Sequence, residues 1–152
     1  MSSPNPPARS LAERKTDTLG KLETEVDVWV ASASADGRGN IAPLSFVWDG
    51  TALTVALPAT SFTATNLARA AWARVALGPT RDVVMLEGPI EVLPIGTDPA
   101  LEEAHARATG FDPREEAGTF VYLRLTPERI QAWRESNELA GRTLMKDGNW
   151  LD

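Results

Sequence analysis

Residues 44–67 restrict the fold of this chain more than any other stretch. They contain two runs, 44–48 and 53–57, in which large apolar side chains alternate with other residues, and Asp49-Gly50 lies between them. Alternation with a period of two is typical of β-strands that bury one face. Asp-Gly is a favoured dipeptide in tight hairpin turns, which need positive φ at consecutive positions. The stretch therefore predicts an antiparallel hairpin centred on Asp49-Gly50.

A short helix is predicted directly after the hairpin. Pro58 ends the second strand, and Thr60 or Ser61 can cap the first turn of a helix through its hydroxyl group. We expect this helix to run to about Ala71. The spacing of its small and apolar residues predicts a buried face made of Ala64, Leu67, Ala68 and Ala71.

The remaining sequence predicts a mainly β fold with short helices (α+β). Strands are predicted at residues 26–31, 41–48, 53–57, 72–77, 82–93, 119–125 and 129–134, and Gly88-Pro89 indicates a bulge or an edge in the fifth of them. Further helices are predicted after a Ser10–Glu13 capping box and between Asp98-Pro99 and Gly110, whereas the polar tail 136–152 carries no strand prediction. Because the first turns are too short for parallel crossovers, we expect a six- to seven-stranded antiparallel split β-barrel, closed or nearly so.

Length and composition favour one globular domain. The 152 residues are predicted to form a disordered N-terminal arm, 1–9, and a single domain, 10–152. A net charge of −6 argues against nucleic acid as a partner. The absence of cysteine and the presence of one histidine argue against a metal site. The polar, proline-rich start carries no targeting segment, and the uncharged stretch 50–68 contains Pro58 and reads as hairpin and helix, so we expect a cytoplasmic protein with no membrane association.

The order strand, strand, Asp-Gly turn, strand and then the S-x-T-x-x-N-L segment 61–67 resembles the pyridoxamine 5′-phosphate oxidase-like, FMN-binding split-barrel superfamily. That superfamily includes oxidoreductases that use the deazaflavin analogue of the cofactor. The resemblance covers roughly residues 22–95. Support also comes from 77–88, which resembles the family's next strand, and from the tail 141–150.

The resemblance implies a homodimer that binds FMN, or alternatively a deazaflavin coenzyme, in a groove between subunits. It also implies hydride transfer between this cofactor and a small organic substrate, for which no catalytic side chain is assigned because the hydride chemistry belongs to the cofactor. A flavin phosphate needs amide and hydroxyl donors at a strand-to-helix bend, and the ring needs extended strand edges. The predicted cofactor-binding residues are Ser45, Leu57, Ala59, Thr60, Ser61, Thr63 and Asn66.

Two positions depart from the family pattern, and they leave alternatives open. Thr63 and Ser45 stand where many relatives carry basic residues, so Arg69, Arg81 or an arginine of the partner subunit would have to neutralise the phosphate. The alternative function is a non-catalytic split-barrel protein that binds a cofactor or haem without turnover. Ser61 and Thr63 can also act only as helix caps, and Asn66 can close a local hydrogen bond.

Four further side chains carry predictions about burial. His105 is expected at the surface or its boundary, and Glu102-Glu103 on a solvated helix face. Trp133 is the tryptophan that we expect to form a wall of a ring pocket.

Overall fold

A computed structural model describes residues 4–152, which form three α-helices and nine β-strands. The helices are α1 (Leu11–Thr24), α2 (Phe62–Ala70) and α3 (Pro99–Thr109). The strands are β1 (Asp27–Ala33), β2 (Gly39–Trp48), β3 (Leu53–Pro58), β4 (Trp72–Leu77), β5 (Val83–Pro94), β6 (Phe120–Leu125), β7 (Arg129–Trp133), β8 (Thr143–Lys146) and β9 (Asn149–Trp150).

Six strands close into an antiparallel barrel in the order β1-β2-β3-β6-β5-β4, with β4 pairing back to β1. β7, β8 and β9 extend the sheet from β5 outside this ring. The barrel interior is lined by alternate residues of its strands, for example Val28, Phe46 and Leu123, each at most 2% exposed. The mainly β fold with short helices and the split barrel are therefore confirmed.

The hairpin between β2 and β3 turns one residue later than predicted. The amide of Asp49 donates to the carbonyl oxygen of Ala52 at 3.1 Å, so Gly50 and Thr51 are the central residues. Among the residues of this turn only Gly50 has a positive φ, of 98°. The Asp49 carboxylate accepts from the amides of Thr51 and Ala52 at 2.9 and 2.7 Å, and these bonds fix the shifted turn.

β5 contains no bulge at Gly88-Pro89, but the predicted edge is present there on one side of the strand. The strand runs without a break. One side pairs with β4 up to Pro89 and has no strand partner beyond it within residues 4–152, while the other side changes partners from β7, over 83–87, to β6 from Ile90 onwards. A Cβ atom at Gly88 would collide with the carbonyl oxygen of Thr126, at the β6–β7 connection. The glycine is therefore required because another backbone passes close by.

The polar tail folds into a hairpin that the sequence analysis did not predict. β8 pairs with β7 and β9 pairs with β8, which buries Leu144 completely and leaves Met145 only 6% exposed. β8 has only four residues, of which two are buried, so its pattern of apolar residues is too short to predict a strand.

Charged contacts join the N-terminal residues to the β7–β8 connection. Glu138, 2% exposed, accepts from the Arg9 amide, Nε and Nη2 at 2.8, 3.0 and 2.8 Å. Arg14 of α1 donates to the carbonyl oxygen of Glu138 at 3.0 Å. Of the arm predicted at 1–9, residues 1–3 lie outside the described residues, and Arg9 is held by these contacts.

Candidate functional site

The bend between β3 and α2 has the form of a helix N-terminus with free donors. Ser61 is the N-cap, and its Oγ accepts from the amide of Ala64 at 3.2 Å. The first amides of a helix have no intrahelical acceptor, and those of Phe62 and Thr63 make no other backbone hydrogen bond within residues 4–152. Thr60, which precedes the cap, is exposed. The bend therefore carries two amides without an acceptor next to an exposed threonine.

Two side-chain hydrogen bonds fix α2 against the barrel. Asn40 at the start of β2 donates to Thr63 Oγ1 at 3.0 Å, and Asn66 donates to Ser32 Oγ of β1 at 3.1 Å. Thr63 and Asn66 are 5% and 7% exposed, so these hydroxyl and amide groups point into the protein. The hydrogen bond of Asn66 reaches a residue 34 positions away in the chain, so it is not the local bond that was the alternative for this residue.

The buried face of α2 differs from the predicted one. It consists of Thr63, Ala64, Asn66 and Leu67, whereas Ala68 and Ala71 are exposed. Thr63 and Asn66 are buried instead of the two alanines because β1 and β2 offer them hydrogen-bond partners. The spacing of apolar residues in the sequence cannot reveal such partners.

The remaining predicted site residues lie where β2 and β3 separate. These two strands pair only between residues 46–48 and 53–55, so Ser45 and Leu57 lie beyond their shared ladder. The edges of β2 and β3 that face one another beyond Phe46 are thus not bonded to each other. We call this opening the β2–β3 split.

Three predicted contacts at the split are already engaged within the chain. Ser45 Oγ donates to the Asp27 carboxylate at 2.7 Å, and the Ala59 amide donates to the Thr119 carbonyl at 2.9 Å. Leu57 is 2% exposed and packs in the barrel core. Ser45, Leu57 and Ala59 can therefore offer a ligand mainly backbone groups, and the cofactor role of all seven predicted residues stays a prediction.

The charges near the bend are sparse. No lysine or arginine occurs between Arg38 and Arg69. Arg69 is in the last turn of α2 and donates to the Ala33 carbonyl at 2.6 Å, while Arg81 follows the far end of β4 and pairs with Glu135 at 2.7 Å. Neither arginine lies at the bend.

Arg38 is the better placed cation, and the sequence analysis did not consider it. It lies two residues before Asn40, in the turn that precedes β2. Since Asn40 contacts Thr63 at the start of α2, Arg38 is the cation nearest to the bend along β2. Its side chain is 88% exposed and makes only a loose pair with Asp36, at 3.6 Å.

The predictions for His105 and Glu102 are wrong, because α3 packs on the outside of the barrel and buries both residues. His105 is 1% exposed, and its ring meets Tyr122 edge-on with 5.5 Å between centroids. Glu102 is 2% exposed and accepts from the amide of Gly96 at 3.0 Å. Burial lowers the pKa of His105 below its usual value, although the Ser45 backbone and Asp112 favour protonation.

One face of the sheet carries large apolar side chains that no other part of residues 4–152 covers. It comprises Trp29, Ile41, Trp72 and Met85, which are 51%, 65%, 42% and 40% exposed, and we call it the open sheet face. Phe62, at the bend, is 82% exposed. Trp133 lies outside the six-stranded ring on β7, with the Arg142 guanidinium 5.8 Å from its ring centre. Its role as a pocket wall stays a prediction.

Within residues 4–152, no group of three or more His, Cys, Asp or Glu side chains is arranged to hold a metal ion. No helix of that range is long and apolar enough to cross a membrane.

Solved structures share this fold at low sequence identity. An F420 reductase is 17% identical with a TM-score of 0.61, over 73% of this chain and 93% of its own. A heme binding protein from Mycobacterium smegmatis is 19% identical with a TM-score of 0.69, over 96% of this chain and 60% of its own. A pyridoxamine 5′-phosphate oxidase-related, FMN binding protein from Nostoc punctiforme is 15% identical with a TM-score of 0.53, over 88% and 84%.

The comparison of sequences gives the family. No curated protein matches the chain. The family model described as pyridoxamine 5′-phosphate oxidase matches residues 20–134, which include the whole barrel, the bend and the β2–β3 split. The chain belongs to the pyridoxamine 5′-phosphate oxidase family, with its split-barrel fold.

Proposed function

We propose that this protein is an oxidoreductase that binds FMN, or the related deazaflavin coenzyme, at the β3–α2 bend and the β2–β3 split. The cofactor would exchange a hydride with a small organic substrate. The observation that carries the proposal is the bend itself, where the amides of Phe62 and Thr63 follow the cap Ser61 and make no hydrogen bond within residues 4–152, beside the exposed Thr60. Such an arrangement favours a phosphate group.

The bend supplies the hydrogen-bond donors that a phosphate needs, but few positively charged side chains lie near it. Amides and a hydroxyl group supply hydrogen bonds, and the helix dipole adds a partial positive charge. Formal positive charge would come from Arg38, whose side chain is 88% exposed. An arginine of the partner subunit is the second possible source. The ring would take its hydrogen bonds from backbone groups of the split, on either side of Ser45 and Leu57.

Homodimerisation is part of the proposal, and the open sheet face supports it. Large apolar patches that remain exposed commonly mark contact surfaces. The centre of this face is polar, since Glu87 accepts from Arg74 at 2.6 Å and from Arg129 at 3.4 Å. Such an arrangement, with apolar residues around an internally paired polar centre, suits contact between two copies.

The alternative is a split-barrel protein that binds haem, or another flat cofactor, without turnover. The stretch between Arg38 and Arg69 without any cation favours this alternative, because it weakens the case for a phosphate-bearing cofactor. The heme binding protein from Mycobacterium smegmatis is an example of a haem-binding protein that shares this fold.

Ligand uptake by the purified protein separates the two functions. We expect FMN or the deazaflavin coenzyme, at micromolar concentration, to lose ring fluorescence on binding and to raise the melting temperature. The enzyme proposal is abandoned if neither compound changes the melting temperature at saturating concentration. A Soret band that appears on adding haem, with no effect of either flavin, would favour the alternative.

A further inference from the structure

The helix α3 is attached to the barrel as a separate unit. It lies between Gly96 and Gly110, which have φ values of 94° and 72°. Its contact with the sheet is a small apolar cluster, distinct from the barrel core, that contains Leu93, Leu101 and Tyr122. A small second core with few buried apolar contacts is a feature of an element that can open without unfolding the rest of the protein.

Three polar side chains are buried under or beside this helix without well-formed hydrogen bonds. The hydroxyl groups of Tyr122 and Thr54 have no hydrogen-bond partner within residues 4–152, and neither ring nitrogen of His105 makes a well-formed hydrogen bond there, although the Ser45 backbone lies close enough to favour the protonated ring. All three residues are at most 1% exposed. Buried polar groups are normally paired, and leaving them unpaired opposes packing. The attachment of α3 is therefore weaker than its apolar contacts alone would make it.

The charged groups around His105 are already occupied by other partners. On α3, the carboxylate of Glu102 is held by the amides of Gly96 and Asp98. In the connection after α3, Asp112 pairs with Arg114 at 2.7 Å.

On the sheet side, the cation of β6 is also engaged. Arg124 pairs with Asp49 at 3.5 Å and lies 4.0 Å from Asp98. The phenol of Tyr122 is neutral, because burial raises its pKa to about 12. A protonated His105 would thus enter an apolar cluster in which every nearby carboxylate already has a partner.

His105 also lies next to the part of the barrel that α3 covers. Its ring lies beside the backbone of Ser45, where β2 and β3 cease to pair. Val47 of β2 and Ala56 of β3 pack against the same cluster. The helix therefore lies over the outer side of the β2–β3 split.

We propose that α3 is a pH-sensitive cover of the β2–β3 split, which protonation of His105 releases. The closed form holds His105 neutral, whereas the open form exposes the ring to water and allows it to take up a proton. Opening uncovers the backbone of Ser45 and the outer face of β2 and β3. The proposal concerns only the opening of α3, so the protein can be tested without any cofactor.

The change in the open population of α3 with pH has an upper limit. An imidazole in water has its usual pKa of 6.5, and the pKa of buried His105 is lower. If the closed form takes up no proton, the open population rises by about 30-fold between pH 7.5 and pH 5.0. Partial protonation of the closed form reduces this factor.

Hydrogen exchange of the full chain, followed by mass spectrometry at pH 7.5 and 5.0, tests the inference. After correction for intrinsic exchange rates, we expect residues 101–109 to exchange five- to thirtyfold faster at pH 5.0, while β3 and β5 keep their protection. The proposal is wrong if α3 and the barrel respond to pH alike, or if α3 does not respond.

Two variants provide the control. His105→Phe keeps an aromatic ring but cannot be protonated, so it should abolish the pH dependence of α3 exchange. Tyr122→Phe removes an unpaired hydroxyl group and should retain that dependence. If His105→Phe fails to fold, an NMR titration of His105 in the wild-type protein decides. A pKa at or above 6.5 in the closed form would overturn the proposal.

Discussion

Arg38 is the residue on which the charge of the proposed phosphate site depends. We expect Arg38→Ala to weaken FMN binding three- to tenfold, about the contribution of one exposed ion pair. Riboflavin, which has no phosphate, should bind equally to both proteins. Fluorescence titration measures both affinities, and Lys146→Ala is the matched loss of one exposed positive charge, on β8. Equal FMN affinity in the wild type and Arg38→Ala would remove Arg38 from the site.

Glu138 is a buried carboxylate whose charge we expect to stabilise the fold. Hydrogen bonds from Arg9 are the largest cause that lowers its pKa, to about 2, and burial opposes them. We expect Glu138→Gln to reduce the free energy of unfolding by about 3 kcal/mol at pH 7, because it leaves the Arg9 guanidinium without its buried partner. Glu135→Gln, which affects an exposed pair with Arg81, should cost less than about 0.5 kcal/mol in urea unfolding.

The contact between Arg9 and Glu138 also determines how the stability of the fold changes with pH. The folded protein holds Glu138 ionised below the usual pKa of 4.5, so this stabilisation is fully present above pH 4.5 and disappears as the pH falls towards 2. The difference in stability between the wild type and Glu138→Gln should therefore shrink over that range. A difference that stays constant from pH 6 to pH 2.5 would contradict this account.

Single residues were predictable where their partners are close in the chain. The Ser10–Glu13 capping box and the Ser61 cap are both present, because each needs only residues within one turn of helix. The burial of His105 and Glu102 could not be predicted, since it depends on where α3 packs. Arg38 was missed because its relation to the bend passes through the hydrogen bond between Asn40 and Thr63.

The strand β5 is the element that joins the barrel to its extension, and Gly88 lies where it changes partners. We expect Gly88→Ala to lower the free energy of unfolding by about 3 kcal/mol, since the new Cβ atom would meet the carbonyl oxygen of Thr126. Gly39→Ala is the matched control, because nothing lies within 4 Å of its Cβ position. Similar melting temperatures for the two variants would show that the connection after β6 can move.

The central strands and helices were predictable, whereas the tail was not. β2, β3 and β5 have alternating or continuous apolar residues over six residues or more, which is enough to predict a strand. β8 and β9 have four and two residues, and their pairing with β7 rests on contacts distant in sequence. The closure of the ring by β4 and β1 follows from the same kind of distant contact.

The open sheet face carries the prediction about assembly. If two copies associate through it, Met85→Glu should place a charge in the interface and shift the protein towards the monomer. Leu139→Glu changes a residue of similar exposure, 42% against 40%, that is outside the open sheet face. Sedimentation velocity distinguishes the two variants. A wild-type protein that is monomeric at high micromolar concentration would remove homodimerisation from the proposal.

The central claim is that the β3–α2 bend holds the phosphate of a flavin, and calorimetric titration tests it most directly. The wild-type protein is titrated with FMN and with riboflavin in the same low-salt buffer, so that the phosphate is the difference between the two ligands. We predict that FMN binds at least tenfold more tightly than riboflavin, and that added salt reduces this advantage. Equal affinities for the two ligands, or no binding of either, would contradict the account.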